Sequence, residues 1–135
     1  MIGVVVATHG QLAHELVRTA EQVVGPLARV TAVGVDASAP DVQQRFEAAI
    51  DSMEEGQCVL VLTDLFGGSP TNLCLACLSP SRHVEVITGV NLPMLLKVSS
   101  QRKEGVPLEA LARSIAAAAQ ESIFLVSQRL REKLG

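Results

Sequence analysis

Three short segments carry the side chains with chemical potential. His9 and Gly10 close the run VVVATHG at 4–10, and Asp64 opens DLFGGSP at 64–70. Gly89, Val90 and Asn91 form a third polar break, in ITGVNLP. A lone histidine most often hydrogen-bonds a backbone carbonyl. Here a glycine follows it, which permits a sharp turn and the approach of a partner. A carboxylate that accepts from one ring nitrogen fixes the tautomer and leaves a lone pair on the other. That is the arrangement of a nucleophilic imidazole. Asp64 has two rival roles, capping its own turn and binding a metal. A magnesium site gathers more than one carboxylate, and the other two segments offer none. Gly67-Gly68-Ser69-Pro70 reads as a turn into a helix, with Ser69 as N-cap and Pro70 at the first helical position. Amides at such an end attract an anion, although plain capping uses the same residues.

These residues act together only if the chain places them together, and the hydrophobic pattern predicts that it does. Gly3 to Ala7 (GVVVA) and Cys58 to Thr63 (CVLVLT) are short β-branched or apolar runs, read as strands buried on both faces. Ala28 to Val35 and His83 to Thr88 are two further strands. Leu12, Leu16, Ala20, Val23 and Val24 recur at helical spacing, and Gly25-Pro26 stops that helix. Ser38 with Pro40 opens a second helix bearing Phe46, Ile50 and Met53. Others are expected from Thr71 to about Leu78, after Asn91 as cap, and from Leu108 to Ala119. Glu121 to Val126 (ESIFLV) reads as a fifth strand or the end of that last helix, and Ser127 to Gly135 as a short charged helix. Strands alternating with helices give an α/β three-layer sandwich with a mainly parallel sheet. The expectation is four strands plus a fifth C-terminal strand, antiparallel, in one domain over 1–135. Such sheets bind at the carboxyl ends of their strands, which puts the three segments on one rim.

Composition narrows the field. In 135 residues, 11 Lys and Arg face 14 Asp and Glu, for a net charge of -3. That argues against an overall basic nucleic-acid binder, and three phenylalanines as the only aromatics argue against base stacking. No apolar run approaches the ~20 residues of a membrane span, and Met1 to Ala7 lacks a basic start, so direct membrane insertion is not expected and the cytoplasm is the expected compartment. Cys58, Cys74 and Cys77 are too few for a disulfide framework. The C-x-x-C of Cys74 and Cys77 lies in an apolar helix without a second ligand pair, so no metal is expected. His14 on the first helix reads as exposed, and His83 lies on the opposite rim. Neither a Walker A motif nor G-x-G-x-x-G is present, and Ser69 has no G-x-S-x-G elbow.

VVVATHG at 4–10, LVRTAEQVVG at 16–25, LVLTDLFGGSPTN at 60–72 and ITGVNLPMLL at 87–96 resemble the EIIA component of the mannose family of the bacterial phosphoenolpyruvate-dependent sugar phosphotransferase system (PTS). The resemblance implies a phosphoryl carrier. It would accept from the phosphocarrier protein HPr on Nε2 of His9, with Asp64 holding Nδ1–H, and pass the group to an EIIB component on a separate chain. No cofactor is implied. Thr8, Gly10, Thr63, Gly67, Gly68 and Ser69 are expected around the phosphate. Leu65, Phe66, Asn91 and Leu92 are expected to meet the protein partners, with loop-to-core packing as the alternative for the apolar ones. The resemblance also implies a homodimer that exchanges the segment Glu121 to Val126. A regulatory module, with His9 phosphorylation controlling a protein partner, uses the same chemistry. A small-molecule binder with no covalent step is the third class.

Overall fold

The computed structural model describes residues 1–36, 38–53, 58–65, 72, 75, 78 and 83–135. In chain order these form β1 (Gly3–His9), α1 (Leu12–Val24), β2 (Val30–Val35), α2 (Val42–Asp51), β3 (Val59–Thr63) and β4 (Val84–Ile87). Three helices follow: α3 (Leu92–Gln101), α4 (Leu108–Glu121) and α5 (Val126–Leu134). The four strands lie parallel in the order β2-β1-β3-β4. The helix expected from Thr71 to about Leu78, with Ser69 and Pro70 at its start, falls mostly outside the described residues, and Cys74 and Cys77 lie outside them.

Alternation along the strands builds the layers. Val4, Val6, Leu60 and Leu62 face α1, α3 and α4 and pack with Ala13, Ala20, Leu95, Val98, Leu111 and Ile115. Val5, Ala7, Val59 and Val61 face the other way, against Phe46 and Ile50 of α2. β1 and β3 are thus covered on both faces, as their unbroken apolar runs require. Each fully buried Leu or Val is worth about 1.5–3 kcal/mol of transfer free energy, so the two central strands are a rigid base for whatever follows them.

The C-terminal segment differs from the expected fifth strand. Glu121 ends α4, and the Ser122 hydroxyl donates to the Ala119 carbonyl, completing the helix end. Ile123 to Leu125 join no ladder, and α5 begins at Val126. A strand forms only where another edge takes up its amides and carbonyls, and apolar content cannot supply that edge. Ile123, Phe124, Leu125 and Val126 are exposed instead, Ile123 by 79 %.

At the amino end of the sheet, Arg102 closes the fold. It is 8 % exposed, and its guanidinium donates to the carbonyls of Ile2 (3.0 Å), Arg29 (3.3 Å) and Ala28 (2.5 Å). Burial, and then the like charge of Arg29, pull its pKa below the usual arginine value, yet a guanidinium keeps its proton. Arg102→Leu removes charge-assisted hydrogen bonds that tie the end of α3 to the loop before β2. We expect a loss of about 2–4 kcal/mol in urea unfolding.

Candidate active site

The site begins with strand register. β1 pairs with β3 so that Ala7 lies opposite Thr63, and with β2 so that His9 lies opposite Val35. The residues just past each pairing therefore share the carboxyl rim of the sheet. His9 ends β1 and Asp64 follows β3 by one residue. Asp64 Oδ2 accepts from the His9 amide at 3.1 Å and lies 2.9 Å from His9 Nδ1. The Leu65 amide donates to Asp64 Oδ1 at 3.0 Å. With both oxygens held, the carboxylate has little freedom to turn.

Electrostatics set the proton on the ring. Partial burial of Asp64 disfavours its charge. The hydrogen bonds from the His9 ring and amide, the charge of His9 and a backbone bond of Asp64 itself outweigh that burial and leave the pKa below the ordinary carboxylate value. An ionised carboxylate only accepts hydrogen bonds. Nδ1 is therefore the donor, and the neutral ring carries its lone pair on Nε2. The His9 side chain is 49 % exposed while that of Asp64 is 14 % exposed, so the imidazole faces solvent and the carboxylate that holds it is recessed.

The backbone around His9 is shaped for this presentation. Gly10 sits at φ +54°, where a side chain would be strained. Thr8, expected at the phosphate, is fully buried. Its hydroxyl donates to the His9 carbonyl at 3.0 Å and accepts from the Ala13 amide at 2.7 Å. α1 has no side-chain cap at Gln11, so Thr8 serves one of the helix's orphan amides and staples the His9 turn to it. Thr8→Val leaves the buried Ala13 amide without this acceptor. A loss of about 1–3 kcal/mol is expected in thermal or urea unfolding, largely restored by Thr8→Ser.

The other expected site residues fall into four groups. Thr63 is buried at the end of β3, and its carbonyl accepts from the Val90 amide at 2.8 Å, joining the second and third rim segments. Asn91 Oδ1 accepts from the Met94 amide at 3.1 Å, so this side chain caps α3 as the sequence predicts. Leu92 packs partly on the core, whereas Leu65 is 59 % exposed beside Asp64. Phe66, Gly67, Gly68 and Ser69 lie outside the described residues.

Sequence reasoning missed the loop after β2. A parallel sheet puts that loop on the same rim, and the rule that located the other three would have found it. A cavity of about 550 Å³ lies beside His9, lined also by Gly10, His14, Gly34, Asp36 and Arg45. The Ser38 hydroxyl and then its amide, both donating to Asp36 Oδ1, hold the Asp36 carboxyl below its ordinary pKa.

The carboxyl rim of this parallel α/β sheet thus carries an exposed imidazole held by a carboxylate. The chain belongs to the EIIA family of the PTS: the family model described as PTS system fructose IIA component matches residues 3–116. It is 28 % identical over 134 residues, 98 % of its own length, to the PTS system mannose-specific EIIAB component of Escherichia coli (strain K12). It spans 42 % of that relative's length. It is 29 % identical over 134 residues to the PTS system fructose-specific EIIA component of Bacillus subtilis, covering 98 % of this chain and 91 % of that one. Among solved structures it is similar to the PTS IIA protein associated with the fucose utilization operon of Streptococcus pneumoniae. There the TM-score is 0.80 at 34 % identity, over 95 % of both chains. It is also similar to the PTS component EIIA of Streptococcus agalactiae, with a TM-score of 0.83 at 25 % identity, over 95 % of this chain and 99 % of that one. No helix among the described residues is long and apolar enough to cross a membrane.

Proposed function

We propose that the protein carries a phosphoryl group on Nε2 of His9, taken from phospho-HPr and passed to an EIIB component for coupled sugar uptake and phosphorylation in the cytoplasm. The observation that carries this reading is the 2.9 Å contact between His9 Nδ1 and Asp64 Oδ2, which leaves Nε2 as the nucleophile. In the first transfer the bond from HPr to phosphorus breaks with its electron pair staying on HPr as a bond from Nε2 to phosphorus forms; in the second the Nε2–phosphorus bond breaks with its pair returning to Nε2 as the EIIB acceptor bonds to phosphorus. Nδ1 keeps its proton toward Asp64 throughout, so the ring becomes a good leaving group for the second step. The phosphoramidate is labile, and catalysis reduces to alignment and to stabilising spread negative charge.

The test is incubation with phosphoenolpyruvate, enzyme I and HPr, followed by mapping of the label. The expected product is an acid-labile, base-stable phosphate on His9 that chases to an EIIB component. No label with functional donors, or label on another residue, removes this reading. Label that no EIIB component accepts would favour the regulatory module.

We further propose a homodimer formed through the segment from Glu121 to Val126. Four consecutive exposed apolar residues, 123–126, support it, since a run of this kind is costly to leave in water. A dimer mass is expected in sedimentation at micromolar protein, and a monomer mass would overturn it.

A further inference from the structure

The side of His9 away from Asp64 has its own chemistry. Asp64 reaches the ring from β3, and β2 lies on the other side of β1. The two nitrogens of an imidazole point in widely different directions, so with Nδ1 held toward β3, Nε2 is directed away from it. On that side lies the cavity shared by His9, His14, Gly34, Asp36 and Arg45. His9 follows Val5 and Ala7 on the sheet face that α2 covers. Phe46 of α2 is buried there, and Arg45 precedes it on the exposed side of the helix.

Beside the cavity, the absence of a side chain at Gly34 lets the turn after His9 approach β2 closely. A Cβ at Gly34 would stand 2.6 Å from the Gly10 carbonyl oxygen and 3.8 Å from His14 Cε1. The turn after His9 therefore rests directly on β2. Asp36 is the one carboxylate among the described residues that line the cavity, and its Oδ1 is engaged by the Ser38 amide and hydroxyl within its own turn. Arg45 brings a permanent positive charge on a long, reaching side chain.

We propose that this β1–β2 cavity seats the phosphoryl group on His9, and that Arg45 is the cation that meets its oxygens. The inference rests on the phosphoryl-acceptor reading above and extends it. In the transfer, the bond between phosphorus and the donor breaks as the bond to Nε2 forms. The equatorial oxygens carry the spread charge, and a guanidinium pairs with two of them at once. Arg45 then acts both on the transfer step and on the carried group.

The test compares the parent with Arg45→Gln, Arg45→Lys and the remote control Arg113→Gln, an exposed arginine paired with Glu109 on α4. Single-turnover phosphorylation at saturating phospho-HPr is expected to slow about tenfold or more in Arg45→Gln, with partial recovery in Arg45→Lys and no change in the control. The separate readout needs no partner protein. In the phosphorylated protein the 31P resonance of the group on His9 is titrated with pH. Removal of a neighbouring cation is expected to move the phosphoryl midpoint up by about 0.5 pH or more in Arg45→Gln. Superimposable titrations would overturn the proposal, even if the rate had fallen, because Arg45 would then be a docking contact. An effect confined to the half-saturating concentration of phospho-HPr would do the same. If the parent itself takes no phosphate from phospho-HPr, the relay reading fails first; if the parent is labelled and Arg45→Gln matches it, only the present inference fails.

Discussion

His9→Ala is expected to take up no phosphate from phospho-HPr while remaining folded. The replacement deletes the only imidazole among the described residues whose Nδ1 is held by a carboxylate. His14 is exposed on α1 and lines the same cavity, but it makes no hydrogen bond to a carboxylate among the described residues. His83 precedes β4 at the opposite end of the sheet. Neither is placed to substitute. The stability cost is expected to be small, within about 1 kcal/mol, because the ring is half exposed and packs in neither core cluster. Asp64 also keeps donors in the variant, from the backbone amides of residues 9 and 65. Label measured by mass spectrometry, with urea unfolding of the same samples, checks both halves. Full labelling of His9→Ala would place the acceptor elsewhere.

The parts of this arrangement that are legible in the sequence are those fixed by local chemistry. GVVVA and VLVLT announce buried parallel strands because nothing polar interrupts them, and strand register then brings His9 and Asp64 together with no further information. Asn91 announces a helix start because its side chain serves an amide three residues on. The segment 121–126 was not legible. Its apolar, β-branched composition suits a strand, but a strand also needs a free edge, and an edge is a property of the assembled fold or of a second chain. The role of Thr8 was hidden for a related reason. A hydroxyl next to a nucleophile suggests a phosphate donor, and only the geometry of α1 shows that it turns inward to Ala13. The cavity over β2 was reachable by the same rim rule that found Asp64. Its polar members, Asp36 and Arg45, are spread over a loop and a helix and form no compact motif.

Asp64→Asn is expected to slow phosphorylation about 100-fold under single-turnover conditions, a far larger effect than its cost to folding. Asparagine keeps the size of the side chain but replaces one acceptor oxygen with an NH2 donor. If that NH2 faces the ring, Nδ1 becomes an acceptor, the proton moves to Nε2, and the nucleophilic lone pair is lost. If the amide oxygen faces the ring instead, the tautomer survives, but no full negative charge remains to support the proton as phosphorus bonds to Nε2. Both outcomes slow the step, and 15N chemical shifts of the His9 ring tell them apart. The pH dependence of stability follows from the same contact. The folded-state pKa of Asp64 lies below its unfolded value, so the unfolded chain takes up the proton first as pH falls. The stabilisation is therefore complete above about pH 4, the usual carboxylate range, and is lost as pH drops through the lowered folded value. The stability gap between parent and Asp64→Asn should accordingly be present at pH 7 and shrink steadily below pH ~4 in urea unfolding. Equal transfer rates for the two proteins would deny Asp64 its orienting role. A gap that widened in acid would mean that the carboxylate is not held by His9 as the 2.9 Å contact requires.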